Sequence, residues 1–189
     1  MFIVYRLPGT MSYAEGALVE PLSVVMHGIS RAGLTLGQGV LVCGAGPIGL
    51  TALASARASG AHPLVITDLE PGRLEFAKKF VPGCKTYLID KVLGPQENAA
   101  KIRELFGPTE YEQPPVVLEC TGVQSSIVTG IFTVRRSGLV MVIGVGRPII
   151  NEVPFMYMSL AGELSKPSLH EISADCVRRD RPEVHQSLS

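Results

Sequence analysis

The 189-residue chain carries no net charge, with 17 basic against 17 acidic side chains. It has no basic stripe and no acidic block, which argues against nucleic acid or an anionic membrane as a partner. No apolar run approaches the roughly 20 residues that span a bilayer. The first ten residues hold one charged side chain, Arg6, and an early Pro8-Gly9, without the long apolar stretch of a secretory signal. Cysteine is sparse: Cys43, Cys84, Cys120 and Cys176 are far apart and form no C-x-x-C pair. That spacing excludes a zinc knuckle or a disulfide framework. Cys43 and Cys120 sit in apolar strand patterns and read as buried free thiols of a reducing compartment, so a cytoplasmic setting is expected. No Ser/His/Asp or Cys/His arrangement, paired carboxylates, internal repeat or low-complexity segment stands out.

What is there is an alternation of strand and helix patterns. Five continuous apolar runs bounded by turn signals read as core strands of a parallel sheet: 40–43, 64–67, 86–89, 116–119 and 139–143. Between them, 47–59, 72–80, 98–106 and 124–134 carry helical spacing. Upstream, 13–32 reads as a helix stopped by Gly33, with Leu18, Leu22, Val25 and Ile29 as its apolar stripe. Pro21 suits only a first turn, so its regular part is expected from about Glu20. The fold class is α/β, a doubly wound parallel sheet of Rossmann type with about five strands. Residues 154–164 could form an amphipathic helix, and no sixth strand is visible. Beyond Ser165 the chain turns polar and is expected to be disordered or loosely docked.

The chemistry gathers at Gly44-Ala-Gly-Pro-Ile-Gly49, a G-x-G-x-x-G between a strand and a helix. Asp68 follows nineteen residues after its last glycine, at the end of the next apolar run. That context is the fingerprint of a dinucleotide-binding βαβ unit. Gly44 allows the tight turn, Gly46 the approach of a pyrophosphate, and Gly49 the close packing of the helix. The helix that begins around Pro47 and Ile48 aims its N–H groups and positive dipole end at the phosphates. Asp68 can accept hydrogen bonds from both ribose hydroxyls and would repel a 2′-phosphate, which favours NAD over NADP. Arg73 can stack on adenine or reach the ribose, can partly accommodate a 2′-phosphate, or is simply a solvated cation at a helix start.

Ligands of an open α/β sheet bind outside the carboxyl ends of its strands. Glu119-Cys120-Thr121-Gly122 closes the fourth strand and Gly144-Val145-Gly146 the fifth. Cys120, Thr121, Gly144 and Val145 are therefore expected to line the crevice near its nicotinamide end, unless the glycines serve only the turns. Glu20, taken alone, is an exposed acid near a helix start. His27 reads as an ordinary helix histidine. No further metal ligand lies near either in sequence.

Tyr13-Ala-Glu-Gly-Ala-Leu-Val-Glu-Pro-Leu-Ser-Val24, Gly44-Ala-Gly-Pro-Ile-Gly-Leu50, Thr67-Asp-Leu69 and Glu119-Cys-Thr-Gly-Val123 occur in this order. Together they resemble the polyol dehydrogenases of the zinc-type medium-chain dehydrogenase/reductase family, nearest to the sorbitol, xylitol and L-arabinitol branch. The likeness runs from about Arg6 to Leu160. It implies oxidation of a secondary alcohol to a ketone, with zinc polarising the alcohol oxygen and hydride passing to NAD. It also implies a GroES-like catalytic domain that binds zinc through a Cys and a His-Glu pair. The glutamate of the family's Glu-Pro-Leu motif lies beside that zinc, which places Glu20 at a metal-site position.

The family's zinc-binding Cys and His-Glu are not in this sequence, nor, after about Gly162, are its sixth Rossmann strand and Arg-Tyr substrate motif. The expected organisation is an entry segment and linking helix at 1–33, an NAD-binding Rossmann domain at 34–164 and a divergent tail at 165–189. A truncated or misassembled gene product would account for it. The chain is then expected to bind NAD(H), not to hold zinc by itself, and to lack polyol oxidation alone. The alternatives are a non-catalytic NAD-binding module, or a non-functional fragment that joins an intact relative. With the last strand missing, 139–143 or a neighbour is expected to be an open edge that drives association into a homo-oligomer.

Overall fold

The computed structural model describes residues 6–146, 151, 153–154 and 162–165. It opens with helix α1, Tyr13–Arg31, followed by β1 (Val40–Cys43), α2 (Pro47–Ala58), β2 (Leu64–Asp68) and α3 (Pro71–Phe80). Then come β3 (Lys85–Leu88), α4 (Pro95–Glu104), a single 3₁₀ turn, β4 (Val116–Glu119), α5 (Gln124–Thr133), β5 (Gly138–Val142) and β6 (Gly162–Ser165). The sheet order is β3-β2-β1-β4-β5-β6 with every neighbouring pair parallel. This is the doubly wound α/β arrangement expected from the alternation, with the order reversing between β1 and β4.

The inner strands β1, β2, β4 and β5 are buried because helices cover both faces, whereas β3 at the edge is partly exposed. Side chains alternate along each strand, so β1 sends Val40 and Val42 to one core and Leu41 and Cys43 to the other. The first core takes Val25 and Ile29 of α1, Leu53 of α2 and Leu74 of α3. The second takes Ile102 of α4 and Ile127 and Ile131 of α5. Each fully buried side chain of this size contributes about 1.5–3 kcal/mol relative to exposure.

Helix starts explain most departures from the expected boundaries. α1 begins at Tyr13, not near Glu20, because Ser12 and Glu15 form a capping box: Ser12 Oγ accepts from Glu15 N at 3.2 Å and Glu15 Oε2 accepts from Ser12 N at 2.8 Å. Pro21 therefore lies inside the helix, in its exposed stretch, where the freed carbonyl one turn back can meet water. α2, α3 and α4 all begin on a proline, Pro47, Pro71 and Pro95. A first helical residue needs no N–H partner and gains from a fixed φ. The last two helices consequently start one and three residues before the positions inferred from apolar spacing.

β6 corrects three expectations: the missing sixth strand, the helix at 154–164 and the open edge at 139–143. Residues 162–165 form a short parallel strand on β5, with Leu139 beside Glu163 and Val140 beside Leu164. The sixth strand is thus present, residues 162–164 are strand and not helix, and β5 is paired on both sides. The remainder of the suggested helix, 155–161, and nearly all of the tail suggested as disordered, 166–189, lie outside the described residues, as does Cys176. No described helix is long and apolar enough to cross a membrane.

Candidate functional site

The carboxyl ends of β1, β2, β4 and β5 bring most of the sequence-derived candidates to one end of the sheet. β1 runs out at Cys43 and the chain turns at Gly44, whose φ of +95° is open to glycine. Gly44 N donates to the Thr67 carbonyl at 2.8 Å, which extends the β1–β2 ladder into the loop. A Cβ on Gly49 would lie 1.8 Å from the Gly44 carbonyl oxygen, so the first turn of α2 sits directly on the strand exit. Gly46 differs. It is the N-cap of α2, no side chain caps that helix, and its first turn holds no acid. A Cβ at Gly46 would meet nothing within 4 Å. The first-turn N–H groups have no intrahelical acceptor by construction and carry partial positive charge. They stand beside open space that the protein leaves unfilled, which fits the pyrophosphate of a dinucleotide.

Asp68 closes β2 beneath this loop, its side chain 8% exposed. Oδ2 accepts from Ala45 N at 2.7 Å and Oδ1 from Glu70 N at 2.9 Å. The carboxylate therefore pins the glycine loop to the second strand and keeps acceptor capacity free, since each oxygen can take two donors. Arg73 Nη1 lies 3.8 Å from Asp68 Oδ2 with its side chain 59% exposed. That pair is loose and screened, and leaves the guanidinium able to move. The proximity of Arg73 to Asp68 was not evident from spacing alone.

The other side of the crevice comes from β4 and β5. Cys120 N donates to the Cys43 carbonyl at 2.9 Å. Burial pushes the Cys43 and Cys120 thiols well up, and the neighbouring Glu119 carboxylate adds to both shifts. Shifts in this direction favour the protonated thiol, the poorer nucleophile. Cys43, Cys84 and Cys120 are free, and Cys43 is buried as expected, but Cys120 is only half-buried, as is Cys84, because it lies where β4 has already run out into its loop. Thr121 is half-buried, Gly144 is buried and Val145 is exposed. The glycines here serve chain packing: a Cβ on Gly144 would lie 2.2 Å from Gly122 N, and one on Gly146 would lie 1.7 Å from Gly122 O.

Sequence reasoning missed the side chain of Glu119 and its partner Ser126. Glu119 is fully buried and gathers four donors from Thr121, Gly122 and Ser126. An acid at the end of a strand covered on both faces, followed by Thr-Gly, was the available signal, because such a carboxylate must find donors.

Glu20 is not brought to this end with partners. It is exposed on α1, and among the described residues no group of three His, Cys, Asp or Glu side chains could hold a metal. The donor set does not fit a catalytic zinc, which normally takes three protein ligands.

Comparison with known proteins agrees with this geometry. The sequence profile of the family described as zinc-binding dehydrogenase matches residues 47–165. L-arabinitol 4-dehydrogenase of Aspergillus niger is 51% identical over 157 residues, covering 80% of this chain and 40% of that protein. Sorbitol dehydrogenase of Bos taurus is 44% identical over 153 residues, covering 81% of this chain and 41% of that protein. The chain thus spans about two fifths of the length of these relatives. Among solved structures, 2R,3R-butanediol dehydrogenase of Bacillus subtilis superposes with a TM-score of 0.71 at 25% identity, over 87% of this chain and 45% of the other. Galactitol-1-phosphate dehydrogenase of Escherichia coli shares the fold with a TM-score of 0.72 at 21% identity, over 94% of this chain and 53% of the other.

Proposed function

The chain belongs to the zinc-binding dehydrogenase family, and we propose that it is the NAD-binding part of a polyol dehydrogenase that oxidises a secondary alcohol to a ketone. The observation that carries this reading is the open space at Gly46, beside an uncapped helix start and an acid at the end of the second strand. Bound NAD supplies the hydride acceptor. Gly44, Gly46 and Gly49 shape the phosphate cradle, with Pro47 and Ile48 opening the helix that faces it. Asp68 accepts the ribose hydroxyls and disfavours a 2′-phosphate, and Arg73 lies over the same end of the ligand. Cys120, Thr121, Gly144 and Val145 border the nicotinamide half. Substrate preference is drawn from L-arabinitol 4-dehydrogenase and sorbitol dehydrogenase, the similar proteins, which points to a polyol.

In this reading residues 1–33 are an entry segment and linking helix, 34–164 the cofactor domain and 165–189 a separate tail. The setting is cytoplasmic, in keeping with the free thiols. The apolar face that α1 leaves exposed, Leu18, Val19, Leu22 and Met26, supports self-association. Glu20 is a remnant of a metal-site position and does not hold zinc here.

Two measurements test the reading. Calorimetric titration of the purified chain should give one site for NAD, with weaker binding of NADP. An assay with sorbitol, xylitol or L-arabinitol, with and without zinc, should show no NAD reduction above background. Equal or tighter NADP binding contradicts the cofactor assignment. Zinc-dependent turnover contradicts the account of Glu20 and requires a metal site built from other residues.

A further inference from the structure

The residues assigned above face the crevice, whereas Glu119 lies beneath it with no exposed surface. A carboxylate buried this deeply costs several kcal/mol unless donors compensate it. Here they converge from three residues. Oε1 accepts from Thr121 N at 3.0 Å, from Thr121 Oγ1 and from Ser126 Oγ at 2.9 Å. Oε2 accepts from Gly122 N at 2.9 Å. The side chain thus curls its own loop back under the end of β4.

The main chain of the same residue holds the neighbouring loop. The Glu119 carbonyl accepts from Ile143 N at 2.7 Å and from Gly144 N at 2.9 Å, where the chain leaves β5. The two loops then interlock through glycine: Gly122, at φ +69°, would place a Cβ 2.5 Å from Gly146 N. Any displacement of Gly122 must push against residues 144–146. One residue therefore sets the relative position of Thr121 and Val145, the two borders of this half of the crevice.

We propose that Glu119 is a positioning residue for the nicotinamide half of the cofactor, acting through Thr121, Gly122 and the β5 loop without touching the ligand. The inference rests on the reading of this crevice as an NAD site. The adenosine half is held by different parts, the glycine loop and Asp68, so the two halves respond differently to loss of Glu119. Glutamine is the informative replacement. Its amide presents one acceptor and one donor. In either orientation an NH₂ faces a backbone N–H, of Thr121 or of Gly122, and that N–H loses its acceptor.

The test compares NADH with ADP-ribose, which lacks the nicotinamide, on the wild-type chain and on Glu119→Gln. The wild-type chain should bind both. Glu119→Gln should lose about tenfold in NADH affinity while ADP-ribose changes by less than about twofold. Ser126→Ala, which removes one hydroxyl donor and leaves every backbone N–H paired, should lower NADH affinity by about twofold to threefold and leave ADP-ribose unchanged. It carries the test if Glu119→Gln fails to fold. An equal loss for both ligands, or no loss for either, overturns the proposal and leaves Glu119 a general stabiliser. If the wild-type chain binds neither ligand, the NAD reading itself fails and the proposal falls with it.

Discussion

At Gly46 an added Cβ would find nothing within 4 Å, whereas at Gly146 it would lie 1.7 Å from the Gly122 carbonyl oxygen. Both glycines sit in loops at the carboxyl end of one sheet, and both belong to short glycine clusters. The β1 loop keeps Gly46 against space that the protein does not fill, while Gly44 and Gly49 serve turn and packing. The β4 and β5 loops use Gly122, Gly144 and Gly146 against one another. A glycine cluster is therefore not one signal: one position in these loops borders open space and the others pack against backbone.

The largest effects expected from this contrast are on stability. Gly146→Ala or Gly49→Ala drives a methyl group into a backbone oxygen that cannot move aside, and each should cost about 3 kcal/mol or more. Urea denaturation measures it through a fall in the midpoint. A change below about 0.5 kcal/mol would show that these loops separate easily and that the contrast is weaker than the geometry implies.

Next comes Asp68→Ser, which acts on selectivity. Removing a charged acceptor for two hydroxyls should weaken NAD binding about tenfold and narrow the preference over NADP. Calorimetry with both cofactors reads the change, and an unaltered preference would place the discrimination elsewhere. The smallest effect belongs to Arg73→Ala. Its 3.8 Å contact with Asp68 is largely exposed, so the melting midpoint should move by less than about 1 kcal/mol equivalent. A larger loss would mean that Arg73 holds the loop through Asp68 in solution.

Much of this was legible in the chain. β1 and β4 were bounded correctly because β1 is apolar throughout, β4 is apolar up to its closing Glu119, and both end at turns. β3 was placed one residue late, since it opens on Lys85, an exposed residue at the sheet edge. The early starts of α3 and α4 had a readable cause, a proline that can only be a first helical residue. β6 was missed because Gly162-Glu-Leu-Ser165 has no apolar run, and four residues paired on β5 leave no periodicity to find. In the site, the glycine loop and Asp68 were visible from spacing. The role of Glu119 was not, because it depends on donors from a loop and from α5 that meet only when β4 is covered on both faces.

The central claim is that the space before Gly46 belongs to the cofactor. Gly46→Val extends a branched side chain into that space from a Cβ with no neighbour within 4 Å, at a φ of −78° that valine tolerates. Loss of a glycine N-cap should cost no more than about 1 kcal/mol. One purified variant, melted and then titrated with NADH, tests this directly. The account predicts a melting temperature within a few degrees of the parent and no measurable NADH binding. A folded Gly46→Val chain that titrates as the parent does would contradict it.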